Sequence, residues 1–155
     1  MKKTILAAAL VAFAGSAQAA DLSPADAKAL HDYTLSMDKI KGMQAAMDDF
    51  NAAAKADPAL KKQSSDIGDQ AKSFAEMEAK IKANPRMMGI YGKHGLKADD
   101  AVLMPFVLMN AGVAVAYPSA ATKLSNELSP VQIAFYKQHQ AELKKMPWLF
   151  GQSGE

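Results

Sequence analysis

The stretch ADDAVLMPFVLMNAGVAVAYP, residues 98–118, decides the fold, because a helix drawn through it is apolar on nearly every side. Such a segment either spans a membrane or lies at the centre of a protein, enclosed by other helices. Ala101 to Tyr117 is seventeen residues, short of the ~20 that a bilayer core requires. It also carries Pro105, Asn110 and Gly112, and small residues let neighbouring helices approach closely. The pattern predicts a buried central helix, with Asp99 and Asp100 at its electropositive end and Tyr117-Pro118 closing the other.

A central helix needs amphipathic partners to enclose it. Upstream, Ser23 and Pro24 make a cap and a first helical position. Apolar residues then recur at Leu30, Tyr33, Met37, Ile40, Met47, Phe50 and Ala54. That spacing predicts one long helix that Gly42 bends and Asp57-Pro58 ends. After a short polar helical turn and a Ser-Ser-Asp break, a second helix is expected from about Asp69 to Ala83, with Phe74, Met77 and Ile81 on one face. Downstream, Ser129-Pro130 repeats the opening grammar, and Val131, Phe135, His139, Leu143 and Met146 form the expected inner stripe of the last helix. Trp148, Leu149 and Phe150 follow Pro147 as an apolar plug.

No run alternates in the two-residue period of a strand, so the class is all-α. Short connections predict an antiparallel four-helix bundle with an extra short connector helix, four to five helices in total.

At the start, MKKTILAAALVAFAGSAQAAD places a basic pair, an apolar run and a small-x-small site at Ala17-Gln18-Ala19. This is the grammar of a cleaved secretory signal peptide. Residues 1–19 are expected to be removed, residues 20–150 to form a single helical domain, and residues 151–155 to be a disordered tail. Localisation is then periplasmic or secreted. The formal charge of +2 resides in Lys2 and Lys3, so the processed chain balances sixteen cationic against sixteen acidic side chains. A neutral chain lacks the basic footprint of a nucleic-acid binder. With no cysteine in the sequence, thiol catalysis, lipid attachment at a cysteine and Cys-ligated metals are excluded.

One stretch departs from that balance. NPRMMGIYGKHGLK, residues 84–97, reads as a connector: Pro85 starts a short helix, and Gly92 or Gly95 ends it. Between Glu78 and Asp99 no acid appears, while Lys80, Lys82, Arg86, Lys93 and Lys97 do, with His94 among them. These six residues are the candidate site for a small anionic ligand or an acidic envelope protein, by an attraction that weakens with salt.

Catalytic grammar is absent. The sequence holds no G-x-S-x-G, no H-E-x-x-H and no phosphate-binding glycine loop. Asp48-Asp49 and Asp99-Asp100 read as solvated helix faces and caps, since neighbours on a helix diverge by about 100 degrees. An enzyme is not expected. The ten methionines raise thioether copper binding, with Met43 and Met47 on one helical face and Met87 and Met88 near His94, but core filling is the commoner use of methionine. If the first and last helices pair antiparallel with flush ends, His139 comes level with His31, and Met37 is close by. That arrangement has a general likeness to haem-binding bundles of the cytochrome b562 type. The sequence departs from them in having no methionine at the start of its first helix and a mid-helix His139.

Together, YTLSMDKI, MEAKIKANP, YGKHGLKADDAVL and LSPVQIAFYKQHQAELKKM resemble a group of small exported bacterial proteins. The resemblance spans most of the processed chain and implies an all-α fold; its motifs are caps, connectors and core positions, so it transfers no catalytic or ligand residue. The expectation is a soluble periplasmic helical binding or accessory protein of the cell envelope, without a cofactor. Its alternative is a haem- or metal-binding bundle at His31, Met37 and His139.

Overall fold

Proline sets the rhythm of this chain. A proline at the first helical position loses no hydrogen bond, because that N–H has no partner inside the helix, and its fixed φ already suits the turn. In the computed structural model, which describes residues 22–118 and 127–150, five of eight helices begin this way. They are α1 (Pro24–Asp32), α3 (Pro58–Gln70), α5 (Pro85–Lys93), α7 (Pro130–Leu143) and α8 (Pro147–Phe150). The others are α2 (Met37–Ala56), α4 (Phe74–Lys82) and α6 (Ala98–Ala116). The fold is all-α, with no strand among the described residues. The proposed leader, residues 1–19, and the tail, 151–155, lie outside the described residues.

The central helix is where the sequence puts it. Helix α6 is long and apolar enough to cross a membrane by length and composition alone, yet more than half of it is buried inside the protein. Met104, Val107 and Ala111 are wholly enclosed, and the helix packs against α4, α7 and α1, with α2, α5 and α8 also touching it. Each fully buried aliphatic side chain stabilises the fold by roughly 1.5–3 kcal/mol, and α6 contributes more buried side chains to the core than any other described helix. Phe74 and Phe106 join α4 to α6, their ring centroids 4.9 Å apart at a 52° tilt.

Among the described residues eight helices stand where four or five are expected, and the differences have local causes. The predicted first helix is broken between Asp32 and Met37. There Tyr33 and Leu35 are both buried, an alternation that belongs to extended chain, and the Ser36 hydroxyl restarts the helix by accepting the Lys39 N–H at 3.3 Å. The Ser-Ser-Asp segment is no break: α3 runs through it, started by the Asp57 carboxylate on the Ala59 N–H at 3.0 Å. The helix expected from Asp69 begins at Phe74, where Ser73 caps it and the buried Asp26 carboxylate of α1 accepts the Phe74 N–H at 3.0 Å.

Helix α7 keeps the C-terminal part of its predicted inner stripe, with Leu143 and Met146 buried, but its first turns are rotated: Val131 is 76% exposed, Phe135 and His139 are half-buried, and Gln132 and Tyr136 are buried in their place. The Gln132 side chain explains the rotation. Its Nε2 donates to the carbonyls of Leu30 and Tyr33, both at 2.7 Å, and its Oε1 accepts the Ser129 N–H at 2.9 Å. It thereby serves the Tyr33 carbonyl just past the end of α1 and gives a second donor to the Leu30 carbonyl, which also accepts the Tyr33 N–H at 3.3 Å. Tyr136 then fits over Gly112 of α6, where a Cβ would lie 2.9 Å from the phenol oxygen.

Connector α5 is as predicted, with the glycine choice resolved. The Asn84 side chain caps it on the N–H groups of Arg86 and Met87, both at 3.1 Å. Gly95 ends the turn at φ +72°, a conformation costly for other residues. The turn lies against α2 at Gly42, where a Cβ would meet the His94 carbonyl oxygen at 2.8 Å. Gly42 therefore permits a close helix–turn approach.

Candidate functional site

Two neighbouring regions of α6 hold the chemistry of this protein, and they differ in kind. The first is at its N-terminus. Asp100 is 1% exposed; its Oδ1 accepts from the Tyr33 hydroxyl at 2.8 Å and from Lys39 Nζ at 2.7 Å, and its Oδ2 accepts the Lys97 N–H at 2.9 Å. The Lys39 ammonium also lies 5.3 Å from the Tyr33 ring centroid. Burial works to raise the Asp100 carboxyl, but the hydrogen bonds from Lys39, Lys97 and Tyr33 prevail and hold it below the usual aspartate range. The same contact and its burial push the Tyr33 phenol up. Asp100 thus caps the start of α6 through the Lys97 N–H, as its sequence reading expects, but it is buried rather than solvated and also ties the α1–α2 break and α2 to α6. All its oxygens are engaged, which suits a structural lock.

The second region is an apolar, partly open cavity of about 40 Å³ one turn further along. Helix α2 contributes Met43, Met47 and Phe50, and α5 contributes Met87 and Tyr91. Val102, Pro105 and Phe106 of α6 close one wall, with Ile67 of α3 and Ile81 of α4 at the sides. Its only side-chain oxygens are the hydroxyls of Ser64 and Tyr91. Burial pushes the Tyr91 phenol up to about 12, so it stays a neutral donor at physiological pH. The space holds a few water-sized occupants, and thioether side chains adapt their shape more readily than branched ones.

The basic stretch is not the uncompensated patch its local sequence suggests. Lys80 pairs with Glu76 at 3.5 Å and Lys82 with Glu78 at 3.4 Å, one helical turn away. Arg86 pairs with Asp57. Lys93 Nζ and His94 Nε2 both meet Asp49 Oδ2, at 2.7 and 2.9 Å. Hydrogen bonds from Lys93 and His94 hold the Asp49 carboxyl below its usual range, and those from the Ala59 N–H and Arg86 do the same for Asp57. Asp49 and Asp57 come from α2 and the α2–α3 junction, far away in sequence, whereas Glu76 and Glu78 lie on α4 itself. Of the six residues only Lys97 has no acidic partner among the described residues.

The histidines stay apart. His31 is exposed in the last turn of α1, and Met37 is half-buried at the start of α2. The His139 ring rests on Phe135, centroids 4.5 Å apart. The register of α7 brings Gln132 beside Leu30 and Tyr33; His139 lies seven residues further on, ~10 Å along the helix axis. Among the described residues no group of three or more His, Asp or Glu side chains is arranged to hold a metal ion. Met87 lines the cavity with Met43 and Met47.

Sequence reasoning missed the cavity, because its walls come from five helices and no local motif marks it. The one available signal was the Met43/Met47 pair on a single face. Comparison with protein-family models, curated proteins and solved structures finds no match.

Proposed function

We infer that this chain, after removal of residues 1–19 as a signal peptide, works as a soluble helical binding protein of the cell envelope. Its ligand enters the methionine-lined cavity between α2, α5 and α6. In this reading the frame is a four-helix bundle of α2, α4, α6 and α7, with α5 as the connector that covers the site. The observation that carries it is the cavity itself, an adaptable apolar pocket next to a fully satisfied polar tie that fixes the start of α6. An apolar lining with few polar groups is the composition of small-ligand sites, and at about 40 Å³ this one suits a very small occupant. No nucleophile with an adjacent base lines it, which favours binding over catalysis. The pairing of the basic residues favours this cavity over an anion site at the connector.

The test is to expose purified mature protein to an envelope extract, wash it, unfold it and identify what is released by mass spectrometry. The wild type is expected to release a small ligand or ion that Ala101→Leu does not, because Ala101 lines the cavity and a larger side chain fills it. Equal release from both proteins, or none from the wild type, overturns the assignment.

A further inference from the structure

Three methionines line one small space. Met43 and Met47 are four residues apart on α2, so their side chains leave the same face of the helix, and Met87 arrives from α5. All three are buried, Met43 and Met87 almost completely. We propose that the cavity is a site for one soft monovalent metal ion, Cu(I), held by the Sδ atoms of Met43, Met47 and Met87. The proposal rests on the cavity being the ligand site of this protein and names the ligand class.

Three features of the cavity select that ion. Thioether sulfur is a soft donor that suits Cu(I), whereas Mg²⁺, Ca²⁺ and Mn²⁺ seek carboxylate, carbonyl and water oxygens. No carboxylate or imidazole lines this cavity, so a divalent ion would be buried without the negative charge that it requires. A single positive charge is a smaller burden, and Phe50 and Phe106 are among the wall residues, a residue type whose ring attracts a cation. Size agrees as well: about 40 Å³ admits an ion and excludes a haem or a drug-sized molecule. The hydroxyl of Tyr91 is available as a neutral fourth neighbour.

The binding is a ligand exchange with no change of oxidation state, so the redox-inert Ag(I) ion is a suitable probe. Mature protein carrying ¹³C at the methionine ε-methyl groups is titrated with silver nitrate in chloride-free buffer and, anaerobically, with Cu(I). The expected result is one bound ion by native mass spectrometry. It is accompanied by methyl shifts at Met43, Met47 and Met87, and none at Met77 or Met104. The triple variant Met43→Leu/Met47→Leu/Met87→Leu conserves volume, which cores tolerate, and loses the bound ion; each single variant weakens binding, and Met77→Leu leaves it unchanged. Silver retained by the triple variant, or shifts confined to Met88 and Met109, overturns the proposal. Xenon separates the two readings. Cavity methyls that respond to xenon but not to Ag(I) end the metal proposal and leave the cavity as the ligand site, and silence towards both ends both.

Discussion

The first and second turns of α6 face opposite kinds of surroundings. At the first, one carboxylate takes hydrogen bonds from three groups on three segments of chain, and nothing is left over to bind anything else. At the second, Ala101, Val102, Pro105 and Phe106 look onto methionines across a space that protein atoms leave unfilled. Helix α2 serves both regions, Lys39 at the tie and Met43 at the cavity, with Gly42 between them against the His94 carbonyl. The contrast teaches a division of labour: a directional, satisfied polar cluster fixes the relative position of two helices, and a soft apolar gap beside it can change shape without disturbing them.

The largest effect should come from the tie. Asp100→Ala leaves the Tyr33 hydroxyl and the Lys97 N–H without their acceptor and Lys39 without its partner. Its cost in a denaturant titration should be about 2–4 kcal/mol, at the lower end if Lys39 turns to solvent. The pH dependence has a definite sign. The folded-state Asp100 carboxyl titrates below its ordinary 3.8, so its contribution is fully present above that value and is lost as pH falls through the depressed folded value. Asp100→Asn should remove that part of the acid sensitivity. An Asp100→Ala protein as stable as wild type breaks the comparison, because the tie then fixes nothing.

Gly42 comes next. Alanine is the better helix former by ~1 kcal/mol, so an exposed helix would gain from Gly42→Ala. Here the added Cβ would stand 2.8 Å from a backbone oxygen, and backbone shifts of that kind cost about 1–3 kcal/mol. Net destabilisation in thermal unfolding is expected, and net stabilisation would show that the turn is free to move away from α2.

The smallest effect concerns the connector. Replacing Asp49 and Asp57 by asparagine should barely change stability, since both pairs are exposed and such pairs contribute little. The same double variant should gain weak, salt-sensitive phosphate binding that the wild type lacks, because Arg86, Lys93 and His94 lose their acids. Amide shifts of equal size in both proteins would show that the basic stretch attracts anions despite its partners.

How much of this was legible in the sequence follows from the range of each interaction. Helix α6 was legible because an all-round apolar composition interrupted by Pro105, Asn110 and Gly112 suits a helix enclosed by others, and more than half of α6 is buried inside the protein. Connector α5 was legible because its caps are local, Asn84 and Pro85 at one end and Gly95 at the other. The inward face at the start of α7 was not, although Leu143 and Met146 further along are buried as expected, because the rotation is set by Gln132, a polar residue outside the apolar stripe whose partners Leu30 and Tyr33 lie about a hundred residues upstream. The basic stretch misled for the same reason: counting charges between Glu78 and Asp99 cannot include Asp49 and Asp57, which only the packing of α5 on α2 brings to it. The methionine pair on α2 was visible, and its third member was not.

The most direct test of the account follows the methionine ε-methyl resonances of the mature protein under xenon pressure, in the wild type and in Ala101→Leu. The account predicts shifts at Met43, Met47 and Met87 in the wild type, no shift at Met104 in the close-packed core, and a silent spectrum once Ala101 is enlarged. Shifts spread evenly over all methionines, or shifts that persist unchanged in Ala101→Leu, would contradict it.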